Sequence, residues 1–183
     1  MVEHWEKQAS AIRGDFRVFR VREDIARSPE VGDDHSFFVL ESNDWMNIVP
    51  VTEDGRIVCV RQYRHGTEEI SLEIPGGIID DGESPLEAAH RELLEETGYE
   101  AARIVKIGVV APNPAIQNNR CHSFLATDVR RIREQALDIT EEIDVVLVDP
   151  ADVPALITAG TISHALVVAA FYFWDRTSGN GRQ

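Results

Sequence analysis

The segment Gly77–Tyr99 reads GIIDDGESPLEAAHRELLEETGY and carries more structural information than any other part of the chain. Ser84 suits the N-cap of a helix and begins a capping box, and Pro85 suits the first helical position. Gly98 is a typical helix stop. The segment therefore predicts a helix over Pro85–Thr97.

Three carboxylates of this predicted helix, Glu92, Glu95 and Glu96, lie within one turn of each other. At roughly 100° per residue they span an arc of about 100°. Like charges at this spacing destabilise a helix unless something neutralises them. A hard divalent cation can do so, because Mg²⁺ binds carboxylate oxygens together with water and substrate phosphate. The spacing thus favours metal-dependent cleavage of a phosphate anhydride.

The neighbouring side of the helix is apolar, and we expect it to pack against the rest of the protein. Its members are Leu86, Leu93 and Leu94. Arg91 precedes Glu95 by four residues and can pair with it. A turn just upstream contains Gly76 and Gly77, which allow close backbone approach, and the Gly76 carbonyl could add a metal ligand.

The competing interpretation is an ordinary solvated helix face, since surface glutamates are common in helices. The fixed positions of the longer string weigh against it, because seven specified residues match by chance on the order of 10⁻⁸ per starting point. The string resembles the signature of the Nudix hydrolases, G-x5-E-x7-R-E-U-x-E-E-x-G-U, where U is a bulky aliphatic residue. Every charged and glycine position is filled, and Tyr99 places an aromatic residue at the second U.

The resemblance implies roles for the residues of the segment. Glu92 and Glu96 are expected to be the main ligands of Mg²⁺ or Mn²⁺, with Glu95 as a further ligand or a metal-linked base. The Gly76 carbonyl is expected to complete the metal site. Glu83 and Arg91 are expected to hold the segment rigid, and we count Arg91 with the catalytic residues.

Candidate residues outside the segment also follow from the resemblance. Arg64 is expected to contact substrate phosphate, and Glu73 matches a family glutamate near the metal site. Glu141, in a late acidic loop, is the favoured catalytic base, with a solvated loop as the alternative. Trp5 is expected to stack on a nucleobase, with packing at an interface as the alternative.

The substrate is indicated by a proline 16 residues after Gly98. Pro114 at this offset is typical of ADP-ribose pyrophosphatase-like members, which usually continue with a glycine and a glutamate. Here Ala115 and Asn118–Asn119 stand instead, so hydrolysis of other nucleoside diphosphate sugars fits as well. Two alternatives are clean-up of oxidised nucleoside triphosphates and a non-catalytic regulator that binds ADP-ribose.

Composition excludes several other classes of protein. The net charge of −14 and the pI near 4.8 argue against binding to nucleic acid or to anionic membranes. Two isolated cysteines make a zinc site or a disulfide scaffold improbable. The six histidines are scattered, and we expect surface or internally satisfied positions for them. No secretory signal is visible near the N-terminus, so we expect a cytoplasmic protein.

The order of the predicted elements indicates an α/β protein with a mixed sheet and helices on both faces. The resemblance implies the Nudix α/β/α sandwich. We expect a β-rich N-terminal extension over residues 1–45, a Nudix domain over 46–177 and a disordered tail over 178–183. In related pyrophosphatases such an extension forms a homodimer interface, so a homodimer is expected here.

The first prediction concerns Glu96. Glu96→Gln should lose most turnover while the fold is kept, because the substitution removes a metal-binding negative charge without changing the shape of the side chain. Steady-state hydrolysis at saturating Mg²⁺, compared with the wild-type rate, measures the effect. Near wild-type activity of the variant would show that the ligand assignment is wrong.

Overall fold

The computed structural model describes residues 1–139 and 141–177. The predicted tail, residues 178–183, lies outside the described residues. The chain divides into two compact units. One contains residues 1–43 and 111–120, and the other contains residues 44–110 and the described chain from residue 121 onward.

The first unit is built on a three-stranded antiparallel sheet. Its strands are β1 (Glu6–Phe16), β2 (Phe19–Arg27) and β3 (Asp34–Glu41). Residues 111–120 join it through backbone hydrogen bonds, with the Leu40 N–H donating to the Ile116 carbonyl at 2.7 Å. The expected N-terminal extension covers residues 1–45 only. Long-range pairing adds residues 111–120 to this unit.

The second unit contains an eight-stranded mixed sheet. Its strands are β4 (Trp45–Thr52), β5 (Ile57–Arg64), β6 (Glu69–Glu73), β7 (Gly76–Ile78), β8 (Tyr99–Glu100), β9 (Arg103–Val110), β10 (Cys121–Arg131) and β11 (Ile143–Val148). The strand order is β11-β5-β4-β10-β8, and in addition β6 pairs with β5, β7 pairs with β4, and β9 pairs with β10. The β4–β10 pair is parallel and the others are antiparallel.

Helices cover both faces of this sheet, as the sequence predicted. They are α1 (Pro85–Thr97), α2 (Val153–Thr158), preceded by a 3-10 turn at Pro150–Asp152, and α3 (Ala165–Thr177). Alternate residues of β4 point to opposite sides, so that Ile48 packs with α1 and Val49 packs with α2 and α3. The sheet is therefore buried on both faces. Within the described chain no helix is long and apolar enough to cross a membrane.

A split in the sheet positions the residues that matter for function. Strands β4 and β5 pair at Val51 and Ile57, near the end of β4, and then separate. The short strands β6 and β7 pair with β5 and β4 in the region of the split. The Pro75 carbonyl, between β6 and β7, accepts the Ile48 N–H at 2.9 Å. Glu73 and Gly76 lie on either side of this connection, which places the glycine turn beside α1.

The packing of α1 gives a test of the fold. Leu93 is 1% exposed within the core beneath α1, whereas Leu86 on the same helix is 42% exposed, so only part of the predicted apolar side packs. Leu93→Ala should lower the free energy of unfolding by about 3 kcal/mol, because it removes buried methyl groups and leaves a cavity. Urea denaturation measures the change.

Leu86→Ala is the matched control, and it should change the free energy of unfolding by less than about 1 kcal/mol. Equal losses for the two variants would contradict the placement of α1 on the sheet.

Candidate active site

Helix α1 has the ends that its sequence predicted. The Ser84 hydroxyl accepts the Glu87 N–H at 3.3 Å, and the Glu87 carboxylate accepts the Ser84 N–H at 2.8 Å. At the other end Gly98 adopts a left-handed φ of 73° and donates its N–H to the Leu94 carbonyl at 3.0 Å. A side chain at Gly98 would be strained in this conformation. The helix bounds are thereby confirmed.

Two of the three predicted carboxylates are buried. Glu92 is 9% exposed and Glu96 is 3% exposed, while Glu95 is partly exposed. The Glu96 carboxylate accepts the Gly76 N–H at 3.2 Å. A Cβ atom at Gly77 would lie 2.1 Å from Glu92 Oε1, so only glycine leaves room for this carboxylate. The solvated-face interpretation is wrong for Glu92 and Glu96.

Burial changes the acidity of both carboxyl groups. Burial raises the pKa of Glu96 well above its usual range, and the nearby Glu92 and Glu141 charges raise it further against the effect of the Gly76 N–H. Burial also raises the pKa of Glu92, although the neighbouring Arg91 opposes this shift. Glu92 and Glu96 are therefore harder to ionise than exposed carboxyl groups. A cation bound between them would stabilise their charged forms.

Arg91 holds the acidic residues of the segment together. Its Nε and Nη2 donate to the two Glu83 oxygens at 2.9 Å each, and its Nη1 donates to Glu92 at 2.9 Å and to Glu95 at 3.3 Å. Its Nη2 also donates to the Ile78 carbonyl at 3.1 Å. The guanidinium therefore ties the start of the segment to the middle of α1.

In residues 1–139 and 141–177 no three His, Cys, Asp or Glu side chains are already arranged around a cation position. The Glu92 and Glu95 carboxylates are instead hydrogen-bonded to the Arg91 guanidinium. The donor set nevertheless fits a hard divalent ion, because carboxylate oxygens of Glu92 and Glu96 face the glycine turn at Gly76 and Gly77.

Arg64 and Glu73 form a bidentate ion pair next to this site. Arg64 Nε and Nη2 donate to the two Glu73 oxygens at 2.7 Å each, and Glu73 is 2% exposed. The hydrogen bonds to Glu73 raise the pKa of Arg64 against the effect of burial, and the Glu96 and Glu141 charges add to the increase. The structure therefore brings Arg64 within electrostatic range of Glu96.

Glu141 lies on the loop between β10 and β11 and is exposed. Its carboxylate is near enough to raise the pKa of both Glu92 and Glu96. Two hydrogen bonds join Glu141 to Asp138: the Asp138 N–H donates to Glu141 Oε2 at 3.1 Å, and the Glu141 N–H donates to the Asp138 carbonyl at 3.0 Å. Glu141 thus lies within electrostatic range of Glu92 and Glu96, although it is distant from them in sequence.

Trp5 and Pro114 belong to the other unit. The Trp5 ring makes edge contacts with His35 and Phe37 at centroid distances of 5.6 and 5.3 Å. Pro114 lies in a turn in which the Ile116 N–H donates to the Asn113 carbonyl at 3.1 Å. These contacts favour packing for Trp5, and its stacking on a nucleobase stays a prediction.

His164 is a residue near the site that sequence reasoning did not single out. Burial lowers the pKa of His164, the nearby Glu73 raises it in part, and the nearby Arg64 lowers it. Its Nδ1 accepts the Leu166 N–H at 3.2 Å at the start of α3. No local pattern marked this histidine, because its proximity to the Arg64–Glu73 pair arises from tertiary structure.

Comparison with known proteins agrees with this geometry. The NUDIX domain model matches residues 44–171. The chain belongs to the Nudix family. The match confirms the family that the signature segment indicated, and Nudix hydrolases generally use divalent metal ions.

Two relatives and one solved structure illustrate what this Nudix chain is similar to. ADP-ribose pyrophosphatase of Bacillus subtilis is 33% identical over 127 residues, which cover 69% of each chain. Methanol dehydrogenase activator of Bacillus methanolicus is 34% identical over 100 residues, so this chain spans about half of that protein's length (54%). A crystal structure of ADP compounds hydrolase superposes with a TM-score of 0.86 at 24% identity and covers 98% of both chains, which confirms the fold.

The close approach of Gly77 to Glu92 yields a prediction. Gly77→Ala should weaken Mn²⁺ binding about 10-fold or more, because the new methyl group must displace the Glu92 carboxylate. The fold should change little, since the displaced group is the end of a flexible side chain. Isothermal titration with Mn²⁺ and thermal melting measure the two effects.

Gly66→Ala is the matched control, because a Cβ atom at Gly66 would meet nothing within 4 Å. Unchanged Mn²⁺ affinity in Gly77→Ala would contradict a metal role for Glu92.

Proposed function

We propose that this Nudix protein hydrolyses the diphosphate of ADP-ribose or of another nucleoside diphosphate sugar, with Mg²⁺ as the resident ion. The products are a nucleoside monophosphate and a sugar phosphate. The observation that carries the proposal is the pair of buried carboxylates, Glu92 and Glu96, at the glycine turn with Arg64 and Glu141 in electrostatic range. The name of the Bacillus subtilis relative, ADP-ribose pyrophosphatase, supports the same reaction class.

The metal-binding groups of this proposal are the carboxylates of Glu92 and Glu96, with the Gly76 carbonyl and Glu95 as further donors. A bound Mg²⁺ would neutralise phosphate charge and lower the pKa of an attacking water. Arg91 keeps the Glu92 and Glu95 carboxylates in place through its links to Glu83. These hydrogen bonds keep the carboxylates on the side of α1 where the ion would bind.

Arg64 is suited to bind the substrate diphosphate. Its Nε and Nη2 are engaged by Glu73, which fixes the guanidinium plane and leaves Nη1 to donate to a phosphate oxygen. The Arg64 side chain is 40% exposed, whereas that of Glu73 is 3% exposed, so the charged end of the pair can reach a ligand. Glu73 acts on the substrate through Arg64 in this scheme.

Glu141 is the proposed general base. Its carboxylate accepts the proton of the attacking water as the new phosphorus–oxygen bond forms and the anhydride oxygen leaves. The Glu141 carboxylate is exposed, so a water molecule can approach it, which suits it to this role. Glu95, which is also partly exposed, is the alternative base.

Assembly and location belong to the same proposal. Several large apolar side chains on or next to the three-stranded sheet are exposed, namely Ile12, Phe16, Val18, Phe37 and Phe38. Such exposure supports the expected homodimer. We also propose a cytoplasmic protein whose acidic charge disfavours nucleic acid and anionic membranes as partners.

A substrate panel tests the proposal. ADP-ribose, a UDP-sugar, ATP and oxidised dGTP are each incubated with the protein and Mg²⁺, and the products are separated by chromatography. We expect release of AMP from ADP-ribose or UMP from the UDP-sugar, and no comparable turnover of the triphosphates. The Glu96→Gln variant serves as the control for contaminating hydrolases.

Preferential turnover of oxidised dGTP would contradict the proposal in favour of a triphosphate clean-up enzyme. Binding of ADP-ribose without any release of AMP would contradict it in favour of the non-catalytic regulator.

A further inference from the structure

The loop between β10 and β11 is fastened to the C-terminal end of α1 by its backbone. The Ile132 and Arg133 N–H groups donate to the Gly98 carbonyl at 2.9 and 3.3 Å, and the Ala136 N–H donates to the Glu95 carbonyl at 2.9 Å. The carbonyls at the end of a helix have no partner inside the helix, so they are available for such bonds. The first half of the loop is thereby attached to the helix that carries the acidic cluster.

One side chain of this loop connects the helix with the following strand. The Gln135 carboxamide donates from Nε2 to the Glu96 carbonyl at 2.6 Å and to the Ile143 carbonyl at 3.0 Å. A carboxamide nitrogen carries two hydrogens, so both are used. Gln135 is half-buried, which shields these bonds from competing water. The bridge joins the residue proposed as a metal ligand to the first residue of β11.

Glu141 lies between the two anchored points. It precedes Ile143 by two residues, and its carboxylate and backbone both bond to Asp138. The position of the Glu141 carboxylate relative to Glu96 therefore depends on how firmly the loop is attached at both ends. Because Gln135 contacts Glu96 and Ile143 at once, it sets the spacing between them directly.

We propose that Gln135 is a positioning residue for hydrolysis, which holds the Glu141 carboxylate at a fixed distance from the acidic cluster of α1. This proposal rests on the proposed function, in which Glu141 receives the proton of the attacking water. Gln135 itself touches backbone carbonyls and no reacting group. Its effect should therefore depend on the presence of a working Glu141.

The test is a double-mutant cycle of Gln135→Ala and Glu141→Gln on the full chain, assayed with ADP-ribose and Mg²⁺. Gln135→Ala alone should lower kcat about 10- to 100-fold and leave KM within about two-fold, since misplacement of a base affects the chemical step more than binding. In the Glu141→Gln background the same substitution should cause no further loss.

Two further variants separate positioning from general damage. Gln135→Glu keeps the size of the side chain but replaces the donor by an acceptor facing two carbonyls, so it should lower kcat at least as much as Gln135→Ala. Glu134→Ala is the matched control on the same loop, because its side chain is exposed and contacts Arg131. It should leave kcat unchanged.

A measurement without substrate keeps the inference testable if ADP-ribose is not turned over. Amide hydrogen exchange at Ala136, followed by NMR, should be about 10-fold faster in Gln135→Ala and unchanged in Glu134→Ala. Equal exchange rates in the wild type and Gln135→Ala would overturn the positioning role of Gln135.

Different outcomes refute the base role of Glu141 and the positioning role of Gln135. Near wild-type turnover of Glu141→Gln would refute the proposed base and, with it, the action of Gln135 through that base. If Glu141→Gln is impaired and Gln135→Ala lowers its residual turnover by the full factor again, Glu141 keeps its role and the positioning role of Gln135 is refuted.

Discussion

Two carboxylates are buried on one face of a single helix, and the other features of the site compensate for their charge. Glu92 and Glu96 are one turn apart on α1 and are both largely removed from solvent. Their mutual repulsion and their desolvation both oppose ionisation. The Gly76 N–H donates a hydrogen bond to Glu96, and the Arg91 guanidinium donates one to Glu92. Gly77 has no side chain and leaves space for a Glu92 oxygen.

The arrangement of the strands also brings further groups close to these two carboxylates. The split between β4 and β5 admits β6 and β7, and the Pro75 connection between them delivers Glu73 and the glycine turn to α1. The long β10 and the loop after it return to the end of α1 through the Gly98 carbonyl. Acidic groups that are distant in sequence thus come within electrostatic range of each other, and Arg64 on β5, paired with the buried Glu73, lies within range of Glu96.

Local signals explain why α1 was predictable from sequence alone. Its cap, first-turn proline and terminal glycine act within a few residues, so the bounds Pro85–Thr97 were predicted and confirmed. The mixed sheet with helices on both faces was likewise predictable, because each of the two runs of strands is followed by helical segments that can cover the sheet. The acidic cluster was predictable because residues three and four positions apart lie on the same face of a helix.

Other features depended on long-range pairing and were not predictable in this way. The burial of Glu96, the proximity of His164 to Glu73 and the bridge made by Gln135 each join residues from separate elements. The association of residues 111–120 with the N-terminal strands is of the same kind, since β3 pairs with a segment about 75 residues later. No periodicity within a short window contains this information.

The most direct test of the central claim is a crystal structure of the protein grown with MnCl₂ and a non-hydrolysable ADP-ribose analogue, with the ion located by its anomalous signal. We expect Mn²⁺ bound by carboxylate oxygens of both Glu92 and Glu96, at distances typical of oxygen ligands. Ligand density at the site without an anomalous peak between these two carboxylates would contradict it.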